Sequence, residues 1–115
     1  MSWTDEARKR AIRAVFTGAR EFALVQADGT EYQDGKRVAG FMSAPVLVGE
    51  AWRATNEELL EFPEFPRTIE GTEITGVAIY DGAVRIAVVD AGPVAVVERI
   101  QIVLRPRDLW VGVGL

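Results

Sequence analysis

The chain has 115 residues, 49% hydrophobic and 26% charged, with a net charge of −4 and neither cysteine nor histidine. That length suits one hydrophobic core, and the missing residue types exclude disulfides, thiolate metal sites, a cysteine nucleophile and a histidine base. The basic residues are scattered rather than gathered into a stripe that would neutralise a phosphate backbone, so nucleic acid is not an expected partner.

Residues 2–18 read as a helix. Ala7, Ala11, Ala14, Val15 and Gly18 recur at three- and four-residue spacing, Ile12 widens the stripe, and Glu6, Arg8, Lys9, Arg10 and Arg13 point elsewhere. Thr4 or Ser2 can cap the first turn, Asp5 and Glu6 suit its positive dipole end, and Gly18 can take a left-handed stop. An alanine stripe predicts a docking element, residues 1–18, that lies close on a flat surface. The N-terminus has no apolar signal core and no run approaches the apolar length that crosses a bilayer, so neither export nor a membrane partner is expected.

After Gly18 the period falls to two. Residues 22–27 lead into Asp28-Gly29, Asp34-Gly35 precedes 38–42, and 46–52 forms the next extended run. Pro63 and Pro66 confine 59–66 to an edge path. Residues 74–80 and 83–89 flank Asp81-Gly82, a strong hairpin signal. Residues 94–97 and 100–104 add two strands with Glu98-Arg99 as a turn or bulge, Arg105-Pro106-Arg107-Asp108 interrupts, and 109–115 is apolar to its last residue. The expectation is a single domain that is mainly β: an antiparallel β-sandwich over 19–115 with one N-terminal α-helix.

Chemistry-bearing residues are sparse. Glu57, Glu58, Glu61 and Glu64 read as a solvated acidic edge rather than a carboxylate pair or cation site. Asp28, Asp34, Asp81 and Asp90 lie beside or one residue from glycines, where turn chemistry accounts for them. No glycine-rich phosphate loop is present. No catalytic residue, cofactor or metal is expected, and the chain is not expected to be an enzyme. Trp52, within an alternating strand, reads as core; Trp3 and Trp110 read as core or subunit contact.

The middle of the chain carries an ordered pattern: Asn56, the aromatic-proline pair Phe62-Pro63, Gly71-Thr72, a strand with Thr75, Val77, Ala78 and Ile79, and Tyr80-Asp81. With the closing apolar run 100–104, it resembles small tail-fibre or minor tail proteins of tailed bacteriophages, many of them phages of actinobacteria, over roughly residues 22–104. That family often has a Trp before the Gly-Thr pair and a His in the strand, where this chain has Glu70 and Gly76, so no role tied to those side chains carries over. The resemblance implies a β-sandwich serving as a particle component made in the host bacterial cytoplasm, without catalytic residues.

The expected function is therefore structural: a virion subunit, minor tail or tail-fibre-like, assembling with itself and with other virion proteins. A capsid decoration protein is the alternative in the same class, and a host-receptor or glycan-binding module is the alternative in another. The expected assembly residues are the helix stripe and the apolar end: Trp3, Ala7, Ala11, Ala14, Leu109, Trp110, Val111, Val113 and Leu115.

Overall fold

The computed structural model describes residues 4–113. Among them one helix, α1 (Asp5–Val15), precedes nine strands: β1 (Gly18–Gln26), β2 (Val38–Met42), β3 (Val46–Val48), β4 (Ala51–Thr55), β5 (Leu60–Glu61), β6 (Glu73–Asp81), β7 (Val84–Ala95), β8 (Val103–Leu104) and β9 (Trp110–Val113). They form a four-stranded sheet in the order β2-β1-β6-β7, a three-stranded sheet β3-β4-β9 and a ribbon β5-β8, antiparallel throughout. The fold is mainly β with a single helix, as the period change after Gly18 predicts.

Thr4 caps α1, its Oγ1 accepting the Ala7 amide at 3.1 Å. The helix is shorter than the spacing predicts. Phe16 ends it in right-handed conformation, and Gly18, instead of capping, opens β1 at a φ of 127°. The stripe that packs also differs: Arg8 and Ile12 are buried, whereas Ala7 and Ala14 face solvent and Ala11 is half-buried. Burying Ile12 and bringing Phe16 against the core removes more apolar surface than burying methyl groups. Rotating the helix to do so also lets Arg8, ion-paired to Asp5, bury its aliphatic stem.

The apolar run 46–52 is not one strand. Val48 pairs with Ala51 across Gly49-Glu50, with Gly49 at a φ of 61°, so the run folds back into the β3–β4 hairpin. The β6–β7 hairpin forms with its turn one residue later than the Asp81-Gly82 signal: Asp81 pairs with Val84, and Gly82 takes the first turn position at a φ of 60°. β7 then continues where a break is expected. Gly76 pairs with Asp90 and Ile74 with Val94, so Ala91-Gly92-Pro93 bulges opposite Thr75 and the strand resumes beyond it.

The proline segment runs along an edge. Beside the short β5–β8 ribbon, the Phe62 amide donates to the Ile102 carbonyl at 3.1 Å and the Phe65 amide to the Ile100 carbonyl at 2.9 Å. Pro63 and Pro66, which have no amide to give, fall outside those bonds. Phe22, Phe62, Phe65, Met42 and Leu60 are fully buried where one face of the four-stranded sheet meets α1, β4 and the ribbon. Asn56 is the buried polar group at this seam. Its Nδ2 donates to the Glu58 and Arg105 carbonyls, both at 2.9 Å, and its Oδ1 accepts the Leu109 amide at 2.9 Å. All its demands are met, and it ties the 105–109 turn to the end of β4.

Candidate assembly surface and polar cleft

The nine residues expected to form an assembly surface are not gathered on one face. Trp3 and Leu115 lie outside the described residues, and of Val113 the backbone alone is described, paired with Trp52 in β9. Leu109 is buried in the core and Val111 packs against it. β9 adds to β4 as a sheet strand, which turns these side chains inward and spends their apolar area within the chain. Ala7 and Ala14 are exposed and Ala11 half-buried. Among the described residues of the set, Trp110 is the large side chain that presents substantial surface, 44% exposed.

Trp110 belongs to a face the sequence reading did not single out. It lies opposite Thr55, while Arg53 pairs with Val46 on one side and Gly112 on the other. Alternation along the strands therefore places Val46, Val48, Arg53, Thr55 and Trp110 on one side of the three-stranded sheet. The Arg53 guanidinium carbon sits 3.9 Å from the Trp110 ring centroid, a cation stacked on an aromatic face. Beside them a groove of about 630 Å³ runs past Val46, Val48, Glu57 and Arg107.

β3 is the edge of this sheet, and Val46, Leu47 and Val48 are 58%, 49% and 46% exposed. Alternate residues of an antiparallel strand direct their backbone groups to opposite sides. Part of the β3 backbone therefore faces away from β4, and among the described residues it meets no other strand. The available signal was the run Val46-Leu47-Val48 itself, three apolar residues immediately followed by Gly49-Glu50.

A second feature lies at the far end of β1. Gln26, Asp28, Thr30, Tyr32, Gln33 and Asp34 face Arg67, Ile69 and Thr72 across a cleft of about 440 Å³. Asp28 holds its own turn, its Oδ1 accepting the Thr30 amide at 3.0 Å and the Thr30 hydroxyl at 2.6 Å. These bonds, the hydroxyl's first, keep its carboxyl below the usual range. Asp34 Oδ2 accepts from Arg67 Nε at 2.8 Å. Tyr32, 3% exposed, packs its ring edge-on to Phe65 at 5.5 Å, and its hydroxyl has no hydrogen-bond partner among the described residues. Burial, and secondarily the Asp34 charge, pushes this phenol above its ordinary ionisation range against the opposing pull of Arg67, so the group stays a neutral donor.

Elsewhere the polar side chains pair with one another. On the outer side of the four-stranded sheet, Arg37 stacks 3.8 Å from the Tyr80 ring centroid and binds Glu31 at 3.0 Å, while Arg85 donates to the Tyr80 hydroxyl at 3.0 Å. Glu57, Glu58, Glu61 and Glu64 are all exposed, and no grouping of three metal-binding side chains occurs among the described residues. No helix among them is long and apolar enough to cross a membrane. No family model matches the chain, and no curated protein or solved structure matches it.

Proposed function

We propose that this chain is a structural subunit of a tailed-phage particle, acting by packing against copies of itself and neighbouring particle proteins rather than by catalysis. The observation that carries the reading is the β3 edge: three consecutive apolar residues, each at least 46% exposed, of which Val46 and Val48 share a face with Trp110. Exposed apolar area joined to unpaired strand backbone is a surface that gains free energy when another chain covers it. The sequence pattern of Asn56, Phe62-Pro63, Gly71-Thr72 and Tyr80-Asp81 directs the proposal to the tail, as a minor tail or tail-fibre-like subunit of the virion. In this chain Asn56 and Phe62 have structural duties, one in the seam and one in the core.

Two measurements test it together. Sedimentation of the purified chain is expected to report a mass that rises with concentration, and electron microscopy of the particle is expected to place this chain on the tail. Density on the capsid surface would replace the tail assignment with a decoration role. A chain that stays monomeric at every concentration and contributes no density to the particle overturns the structural reading altogether.

A further inference from the structure

We propose that β3 pairs antiparallel with β3 of a second copy of this chain about a twofold axis at Leu47, joining the two small sheets into one sheet of six strands. The proposal rests on the assembly reading and deepens it, because it names the occupant of the β3 edge and fixes the register in which two copies meet.

The backbone decides which groups are on offer. Val48 and Ala51 close a two-residue turn with Gly49 at its first position, and such a closing pair exchanges backbone hydrogen bonds. Alternation then turns the amides and carbonyls of Val48 and Val46 toward β4, and those of Leu47 away from it. Among the described residues no other strand meets the Leu47 groups. The same alternation turns Pro45 outward, where it has no amide to give.

These constraints leave one register. With Leu47 opposite Leu47 of the second copy, each amide donates to the other's carbonyl. A shift of one residue sets Leu47 against Val46 or Val48, whose backbone groups β4 already uses. A shift of two residues one way sets Leu47 against Gly49, which the turn holds at a φ of 61° instead of an extended conformation. Two residues the other way sets it against Pro45, where an amide is needed.

The side chains fit the same register. Val46 falls opposite Val48 of the second copy on the face bearing Trp110, and the axis repeats that contact at the other end of the seam. Leu47 meets Leu47 on the opposite face. No charged residue lies within β3, and the nearest along the chain, Glu50, is carried to opposite ends of the seam in the two copies. The two Arg53 residues stand three strand spacings apart, about 14 Å, beyond the roughly 10 Å over which salt leaves surface charges coupled. An edge whose donors, acceptors and apolar side chains repeat about its own centre is matched at both halves by its own copy. So short a seam buries less than the roughly 1,200 Å² of a stable complex, so free chains pair weakly and the contact is read at about millimolar protein.

The test uses the absence of cysteine from the full chain. In the proposed register Val46 and Val48 of the second copy form a pair without hydrogen bonds, Cα atoms about 4.5 Å apart, which a disulfide spans. Val46 and Val46 of the second copy are diagonal neighbours at about 7–8 Å, as are the two Val48 residues, beyond a disulfide's reach. Under oxidised glutathione a mixture of Val46→Cys and Val48→Cys chains should therefore form disulfide dimers at least fivefold faster than either variant alone, and adding Leu47→Lys to both should remove the difference. In the parent chain, hydrogen exchange of the Leu47 amide should slow as concentration rises, with Val46 and Val48 unchanged. Equal rates for the mixture and the single variants, or a Leu47 amide indifferent to concentration, overturns the pairing. Either result alongside density for this chain on the particle sinks the pairing alone, whereas pairing without such density sinks the subunit reading alone.

Discussion

Along β7, the outer strand of the four-stranded sheet, exposed Val84 and Val88 are interleaved with Arg85 and Asp90, and the strand then bulges at Ala91-Gly92-Pro93. Along β3, the outer strand of the smaller sheet, Val46, Leu47 and Val48 are exposed without a charge or a bulge among them. Both positions offer strand backbone to any passing chain. Charges, a bulge and a proline that lacks an amide are the devices that keep an edge from pairing. β7, the longer edge, has all three; β3 has none of them within its three residues, although it is short and Pro45 directly precedes it. The difference lies in apolar strand surface, which β3 offers uninterrupted and β7 breaks with charges and a bulge, so under the proposed assembly role β3 is the edge of these two that a partner strand would pair with.

The largest expected effect tests how firmly β7 is held. A Cβ on Gly76 would lie 2.7 Å from the Val89 carbonyl oxygen and 3.3 Å from Val25 Cγ2, directly before the bulge. Gly76→Val should therefore prise β7 from β6 and cost about 1–3 kcal/mol, read as a lower urea midpoint. A midpoint unchanged from the parent would mean that the β6–β7 register is softer than the contact implies. Next comes a matched pair across the comparison. Leu47→Lys puts a charge on the open edge and should abolish self-association by sedimentation, with stability within about 0.5 kcal/mol because the side chain is half exposed. Val88→Lys, on the edge already defended, should leave association as it was. Equal effects from both would erase the distinction between the edges.

How much of this was legible in the sequence depends on how local the cause is. Thr4 capping a helix, the Asp81-Gly82 hairpin and the proline edge segment act over a few residues, and each is present, although α1 ends three residues before Gly18 and β7 runs six residues past Val89. The rotation of α1 was not legible. Its alanine spacing is regular, but the choice between that stripe and Ile12 with Arg8 depends on the partner surface of β4 and β9. The gap between residues 83–89 and 94–97 reads as a break between strands, and the bulge that carries β7 across it depends on the register of β6. Leu109 and Val111 looked sticky because nothing in their own stretch says that β9 will pair with β4 and turn them inward. The cleft was the least visible: Gln26 and Thr72 are far apart in the chain, and each looks like an ordinary turn or strand-end residue until the β1–β6 pairing brings them together.

The smallest effect separates the β3 edge from the sheet face beside it. Arg53 stacks on Trp110, and its Nε is buried without a hydrogen-bond partner among the described residues, so its contribution rests on that stacking and on the cover its chain gives the ring. Arg53→Ala should cost about 0.5–1 kcal/mol and shift tryptophan emission to the red as one face of the indole meets water. Arg53→Lys keeps the charge but loses the planar stack, and should fall between the two. The decisive reading is sedimentation of the same variants. If the contact uses the face as well as the strand edge, Arg53→Ala weakens self-association by more than Arg53→Lys does. If both associate like the parent while Leu47→Lys does not, the partner engages the β3 edge alone, and Trp110 is a surface the chain covers for itself.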